Sequence, residues 1–142
     1  RAPHFKVISE WLKPHYFNHQ GTSLSQWNVT LIRAICDYLG ITTDIVWSHD
    51  IDTESGKTRR LVELCRAVGA ETYVSGAAAK TYLDVAMFED EAMSVQWFDY
   101  SGYPEYTQLG EGFFHGVSIL DLLFNHGNAS ASFMKMGALE AK

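Results

Sequence analysis

The run Thr72-Tyr-Val-Ser-Gly-Ala-Ala-Ala-Lys-Thr-Tyr-Leu83 holds the residues best suited to grip a ligand. Its β-branched and aromatic start predicts a strand, Ser75-Gly76 a turn, and the alanines a helix carrying Lys80 one turn in. Free backbone N–H groups at a helix start, its partial positive charge and a lysine together make an anion site. In parallel α/β sheets ligands sit beyond the carboxyl ends of the strands, which marks Ser75, Gly76 and Lys80 as binding residues for a small anionic or phosphorylated ligand. The competing reading is a tight strand-to-helix turn with a solvated lysine.

Other side chains suit proton transfer. His49 and Asp50 follow an apolar run, and Asp99 ends another, so all three are candidate catalytic acids or bases if the sheet brings these ends together, with Ser48 as a ligand contact. Strand-end polar residues are also ordinary turn formers. Ser75 lacks the Gly-x-Ser-x-Gly elbow of a hydrolase. Gly56-Lys57-Thr58 resembles the end of a phosphate-binding loop, but Ile51 stands where that loop needs its first glycine. His15 and His19 have the spacing of two metal ligands on one helix face, without the glutamate or third ligand that would complete a site; no metal is predicted, and no cofactor is identified.

These candidates need elements to hold them. Ser23-Leu-Ser-Gln26 reads as a capping box opening a helix with Trp27, Leu31, Ile35 and Leu39 on one face, stopped by Gly40. Pro14 is expected to break any helix before it. Ile41 to Trp47 reads as a strand, Thr58 to Val68 as a helix stopped by Gly69, Glu71 to Val74 as a strand, Gly76 to about Phe88 as a helix, and Val95 to Tyr100 as a third strand. The expected fold is therefore α/β, a three-layer Rossmann-like parallel sheet with crossover helices, presenting Ser48-His49-Asp50, Ser75-Gly76 and Asp99-Tyr100 along one edge. The long aromatic and glycine-rich loop from Ser101 to Gly112 is expected to close over that edge, bringing Tyr106 and Gln108 to the ligand. Ser118-Ile-Leu-Asp121 again has capping-box form and opens a helix ending near Gly127, and residues 129–142 form a loosely patterned tail. Leu31, Ile35, Leu61, Leu64, Leu120 and Leu123 are the expected core.

Composition bounds the function. A chain of 142 residues with 46% hydrophobic and 20% charged residues suits a single domain, or the later portion of one, and no apolar run reaches the ~20 residues that span a bilayer. A net charge of −6 without a basic stripe argues against nucleic-acid binding. Cys36 and Cys65 each fall in a helical pattern among apolar residues and read as buried, reduced thiols.

Four segments have a family look: Leu31 to Ile41, Thr58 to Cys65, Thr72 to Leu83, and Ser118-Ile-Leu-Asp-Leu-Leu-Phe-Asn-His-Gly127. Together, from about Ser23 to Gly127, they resemble the later part of WbqC-like proteins. The resemblance implies a bacterial cytoplasmic protein encoded among genes for surface polysaccharide assembly, including O-antigen. Such proteins carry an earlier segment with a His-Gln-Pro-like opening, which nothing here matches, so the chain is expected to be the later portion of one. Where members often have a glycine between Gly76 and Lys80, this chain has Ala77-Ala-Ala79, which restricts the backbone there. Two functions fit: group transfer onto an activated sugar or glycan precursor, or a non-catalytic ligand-binding or scaffold module with protein partners in a polysaccharide assembly complex.

Overall fold

Helix α1 spans Phe5–Phe17 without interruption and contains Pro14, so the expected break does not occur. The proline ring removes the N–H that would bond the Glu10 carbonyl, but both residues are exposed, on a face where water can replace a lost bond. The helix closes normally beyond it, the Asn18 N–H bonding the Pro14 carbonyl at 3.1 Å. The computed structural model describes residues 1–18, 21–54 and 56–135; His19, of the paired histidines, lies outside them.

Helix α2, Leu24–Leu39, starts as its sequence predicts, the Ser23 hydroxyl accepting from the Gln26 N–H at 3.3 Å. It ends at Gly40, whose φ of 71° lets the Gly40 and Ile41 N–H groups turn back onto the Asp37 and Cys36 carbonyls. Residues 41–47, expected to be a strand, carry no strand assignment, and Ser48–Asp50 is one turn of 3₁₀ helix. Helix α3, Lys57–Ala67, is stopped at Gly69, as expected.

Strand β1, Thr72–Gly76, and strand β2, Ser94–Phe98, pair in parallel, with Ser75 opposite Trp97 and Gly76 opposite Phe98. The result is a mixed helix and strand fold with a small parallel sheet of two strands among the described residues. The crossover between them is not the single helix expected from Gly76 to Phe88. It is a 3₁₀ helix, Ala77–Thr81, followed by a turn and the short helix α4, Ala86–Glu89. Ala79, Leu83 and Phe88 all insert into one cluster, and a step of four residues followed by one of five cannot lie on a single helical face. The chain must bend between them.

Helix α5, Ile119–His126, is capped by the Ser118 hydroxyl, which accepts from the Leu120 N–H at 3.2 Å. It runs straight into a 3₁₀ helix, Gly127–Phe133, so the first part of the expected tail is ordered, with Ser130 buried and donating to the Leu122 carbonyl. Gly127 has a φ of 52°, and a Cβ there would lie 2.5 Å from His4 Nδ1, so glycine permits the close approach of α1 to α5.

The described residues form two compact units: one from Arg1–Asp44 together with the chain after Ser101, the other Ile45–Ser101. The first is helical, with Ile8, Leu39 and Leu123 at its centre and Trp11, Ile35, Tyr38 and Leu120 around them. The second buries Val62, Ala79, Leu83, Phe88 and Met93, flanked by Leu61, Cys65, Tyr73 and Trp97. Of the expected core only Leu123 is fully enclosed; Leu31, Ile35, Leu61, Leu64 and Leu120 are half-buried. On α3 the inward face is centred on Thr58 and Val62, which turns Leu64 onto the flank. Both cysteines are free and half-buried, and burial pushes the Cys65 thiol up. Among the described residues no helix is long and apolar enough to cross a membrane.

Candidate functional site

Parallel pairing places the ends of β1 and β2 at the same edge. Ser75 and Gly76 close β1, and Asp99 and Tyr100 follow β2 directly. The Tyr100 hydroxyl oxygen is 3.4 Å from the point a Cβ on Gly76 would occupy, so the phenol lies beside Gly76. Asp99 turns the chain, one carboxylate oxygen accepting from the Ser101 N–H at 2.8 Å and the other from its hydroxyl at 2.7 Å.

Lys80 projects from the 3₁₀ turn and holds its ammonium 5.4 Å from the centre of the Trp97 ring on β2. A five-residue 3₁₀ turn supplies little of the dipole that a long helix would have aimed at an anion. What the sheet edge offers is a hydroxyl at Ser75, the phenol of Tyr100, the half-buried backbone of Gly76 and the Lys80 charge. These groups still suit a phosphate.

Ser48, His49 and Asp50 form a turn that no strand leads into. His49 Nε2 lies 3.4 Å from an Asp50 carboxylate oxygen, with the two side chains 69% and 66% exposed. His49 also packs against Trp47, their ring centres 5.2 Å apart. The exposure of the pair limits its electrostatic strength in water. The Lys-Thr step that suggested a phosphate loop has a structural role: Thr58 is buried and its hydroxyl accepts from the Asp84 N–H at 3.2 Å. No group of three or more His, Cys, Asp or Glu among the described residues is placed to hold a metal ion.

Tyr106 and Gln108 belong to the helical unit, where they meet Asp121 of α5. The Tyr106 hydroxyl donates to Asp121 Oδ2 at 2.9 Å, and Gln108 Nε2 donates to the same oxygen at 3.1 Å. Gln108 also donates to the Phe114 carbonyl at 2.9 Å and accepts from the Phe114 N–H at 2.8 Å, so its amide pins the loop on itself. Asn125 Nδ2 donates to the Asp121 carbonyl at 2.8 Å. Burial pushes the Tyr106 phenol up; the hydrogen bond with Gln108 draws it part of the way back, and the Asp121 carboxylate adds to the rise. Tyr106 therefore stays protonated and donates.

Beside this network lies an open cleft of about 430 Å³ walled by Glu105, Tyr106, Phe113, His126 and Phe133. Tyr106 meets Phe113 and His126 edge to face, with ring centres 5.0 and 5.4 Å apart, and His126 and Phe133 are 4.5 Å apart. His126 Nε2 is shielded from solvent and has no hydrogen-bond partner among the described residues. Sequence reading missed Asp121, His126 and Phe133. Asp121 looked like a partner in the Ser118 capping box, whereas its side chain reaches the loop.

A family model for the WbqC-like protein family matches residues 1–133. An uncharacterized Mycobacterium tuberculosis protein, Rv1507c, is 46% identical over 134 residues, which is 94% of this chain and 58% of the relative's length. The chain thus spans little more than half of that relative. No solved structure matches. The family match extends through both compact units, taking in the sheet edge at Ser75-Gly76 and the Tyr106–Asp121 network alike, and on it the chain belongs to the WbqC-like protein family.

Proposed function

We propose that this protein works in the bacterial cytoplasm on the synthesis of surface polysaccharide such as O-antigen, transferring a group onto an activated sugar or glycan precursor. The observation that carries the reading is the shared edge of the two parallel strands, where Ser75, Gly76, Lys80, Asp99 and Tyr100 come together in one unit. Activated sugars carry phosphate. In this reading the Ser75 hydroxyl and the Gly76 backbone hold phosphate oxygens, Lys80 neutralises their charge, and Asp99, at the same edge, takes the proton of the attacking group. His49 and Asp50, with Ser48 beside them, are a second acid/base pair exposed to solvent. Tyr106 and Gln108 are ligand contacts of the helical unit alone, where they organise its loop.

The alternative, a non-catalytic module of a polysaccharide assembly complex, draws support from the same loop. Leu109 and Phe114 are 68% and 67% exposed there, as a docking surface would require.

Calorimetric titration with a panel of nucleotide-sugars tests the first reading. Lys80→Met keeps the stem and removes the charge, so binding should weaken by at least ~1 kcal/mol, the scale of a charge-assisted hydrogen bond. Unchanged affinity in the variant, or no binding across the panel, would sink the proposal.

A further inference from the structure

The cleft beside Tyr106 differs in chemistry from the sheet edge. Its walls carry four aromatic rings and the carboxylate of Glu105, with no lysine or arginine among the lining residues. Glu105 is exposed and makes no ion pair among the described residues. A second carboxylate, Asp121, stands behind the Tyr106 phenol at 2.9 Å. The other titratable groups are His126 on the wall and His115, whose ring packs 4.5 Å from that of Phe113, and Lys135 is held 5.3 Å over the Tyr103 ring. An anion entering here would meet negative charge and the electron-rich faces of rings. A cation would be attracted by both.

The rings also favour a compact ligand. Edge-to-face packing of Tyr106 on Phe113 and His126 holds them in fixed relative orientations, and a cleft of about 430 Å³ suits a molecule of one or two small rings.

We propose that this cleft binds a ligand bearing a protonated amine on a small hydroxylated ring, an amino sugar in chemical terms. The ammonium lies against Glu105 and the faces of Tyr106 and Phe113, and the ring stacks within the aromatic walls. This inference rests on the cleft alone and stands whether or not the sheet edge holds phosphate.

Glucosamine, N-acetylglucosamine and glucose, titrated separately at about pH 6 so that the amine is charged, test it by two-dimensional NMR. Glucosamine should give saturable shifts at Tyr106, Phe113 and His126 and bind at least about tenfold tighter than either neutral sugar, the scale expected of a partly desolvated cation–π contact. Glu105→Gln should weaken glucosamine at least about fivefold, and Phe113→Leu, which keeps bulk and removes the ring, should do the same. Circular dichroism of both variants reports whether the fold is intact, and Glu105→Gln alters an exposed side chain, so it serves even if Phe113→Leu misfolds. Equal affinity for the three sugars, insensitivity to Glu105→Gln, or no saturable shift up to about 50 mM glucosamine would overturn the proposal.

Discussion

Asp121 ties a loop to a helix with one carboxylate oxygen. Accepting from Tyr106 and Gln108 together, it fixes the loop that walls the cleft. The rise in the Tyr106 pKa, caused first by burial and then by Asp121, has a consequence for stability. A tyrosine that ionises later in the folded protein than in the unfolded chain contributes stability that is whole below about pH 10 and is lost as pH climbs through the folded value. Tyr38, raised by burial and donating to Asn128 at 2.7 Å, acts in the same direction. Tyr106→Phe should therefore lower stability by about 1 kcal/mol at neutral pH, with the gap from the parent protein narrowing above about pH 10. Urea denaturation at a series of pH values reads both, and a gap that widens at high pH would mean that the folded protein does not hold the phenol neutral.

At the scale of elements, the two helices with clear start and stop signals are the ones that could be read in advance. Ser23 and Gly40 bound α2, and Ser118 opens α5, because capping is a local interaction between residues a few positions apart. Gly69 stops α3 for the same reason. The crossover helix was not legible, since its bend depends on Ala79, Leu83 and Phe88 sharing one cluster with Val62, a tertiary demand that no local pattern reveals. The run at residues 41–47 has β-branched and aromatic residues suited to a strand, but strand formation needs a partner that propensity cannot supply. The helix face of α3 was displaced by a similar margin: Leu64 fits the apolar spacing, yet Val62 is the residue the second unit encloses. Stability measurements should separate them. Phe88→Ala, which removes a fully buried ring stacked 5.0 Å from Tyr73, should cost about 3 to 5 kcal/mol, and Leu64→Ala clearly less than the 2 to 5 kcal/mol typical of a buried leucine. Equal losses would place Leu64 in the core after all.

Across the whole molecule, a net acidic charge coexists with two proposed sites of opposite preference. The net charge of −6 opposes diffuse attraction of anions, so any phosphate must be held by local groups such as Lys80 and the Ser75 hydroxyl. The strand ends that carry Ser75, Gly76 and Asp99 were legible in the sequence, and the two strands pair in parallel as expected. The rest was not. The third strand expected to lead into His49 and Asp50 did not form, and the aromatic cleft is assembled from residues of the loop, α5 and the 3₁₀ helix after it, which no sequence spacing connects.

The sheet edge as a phosphate site is the claim on which the functional reading depends, and backbone amide shifts on titration with a nucleotide-sugar test it most directly. Saturable shifts concentrated at Ser75 to Lys80 and at Asp99 to Ser101, abolished in Lys80→Met, are the predicted result. Shifts confined to other parts of the protein, or unaltered in Lys80→Met, would contradict it.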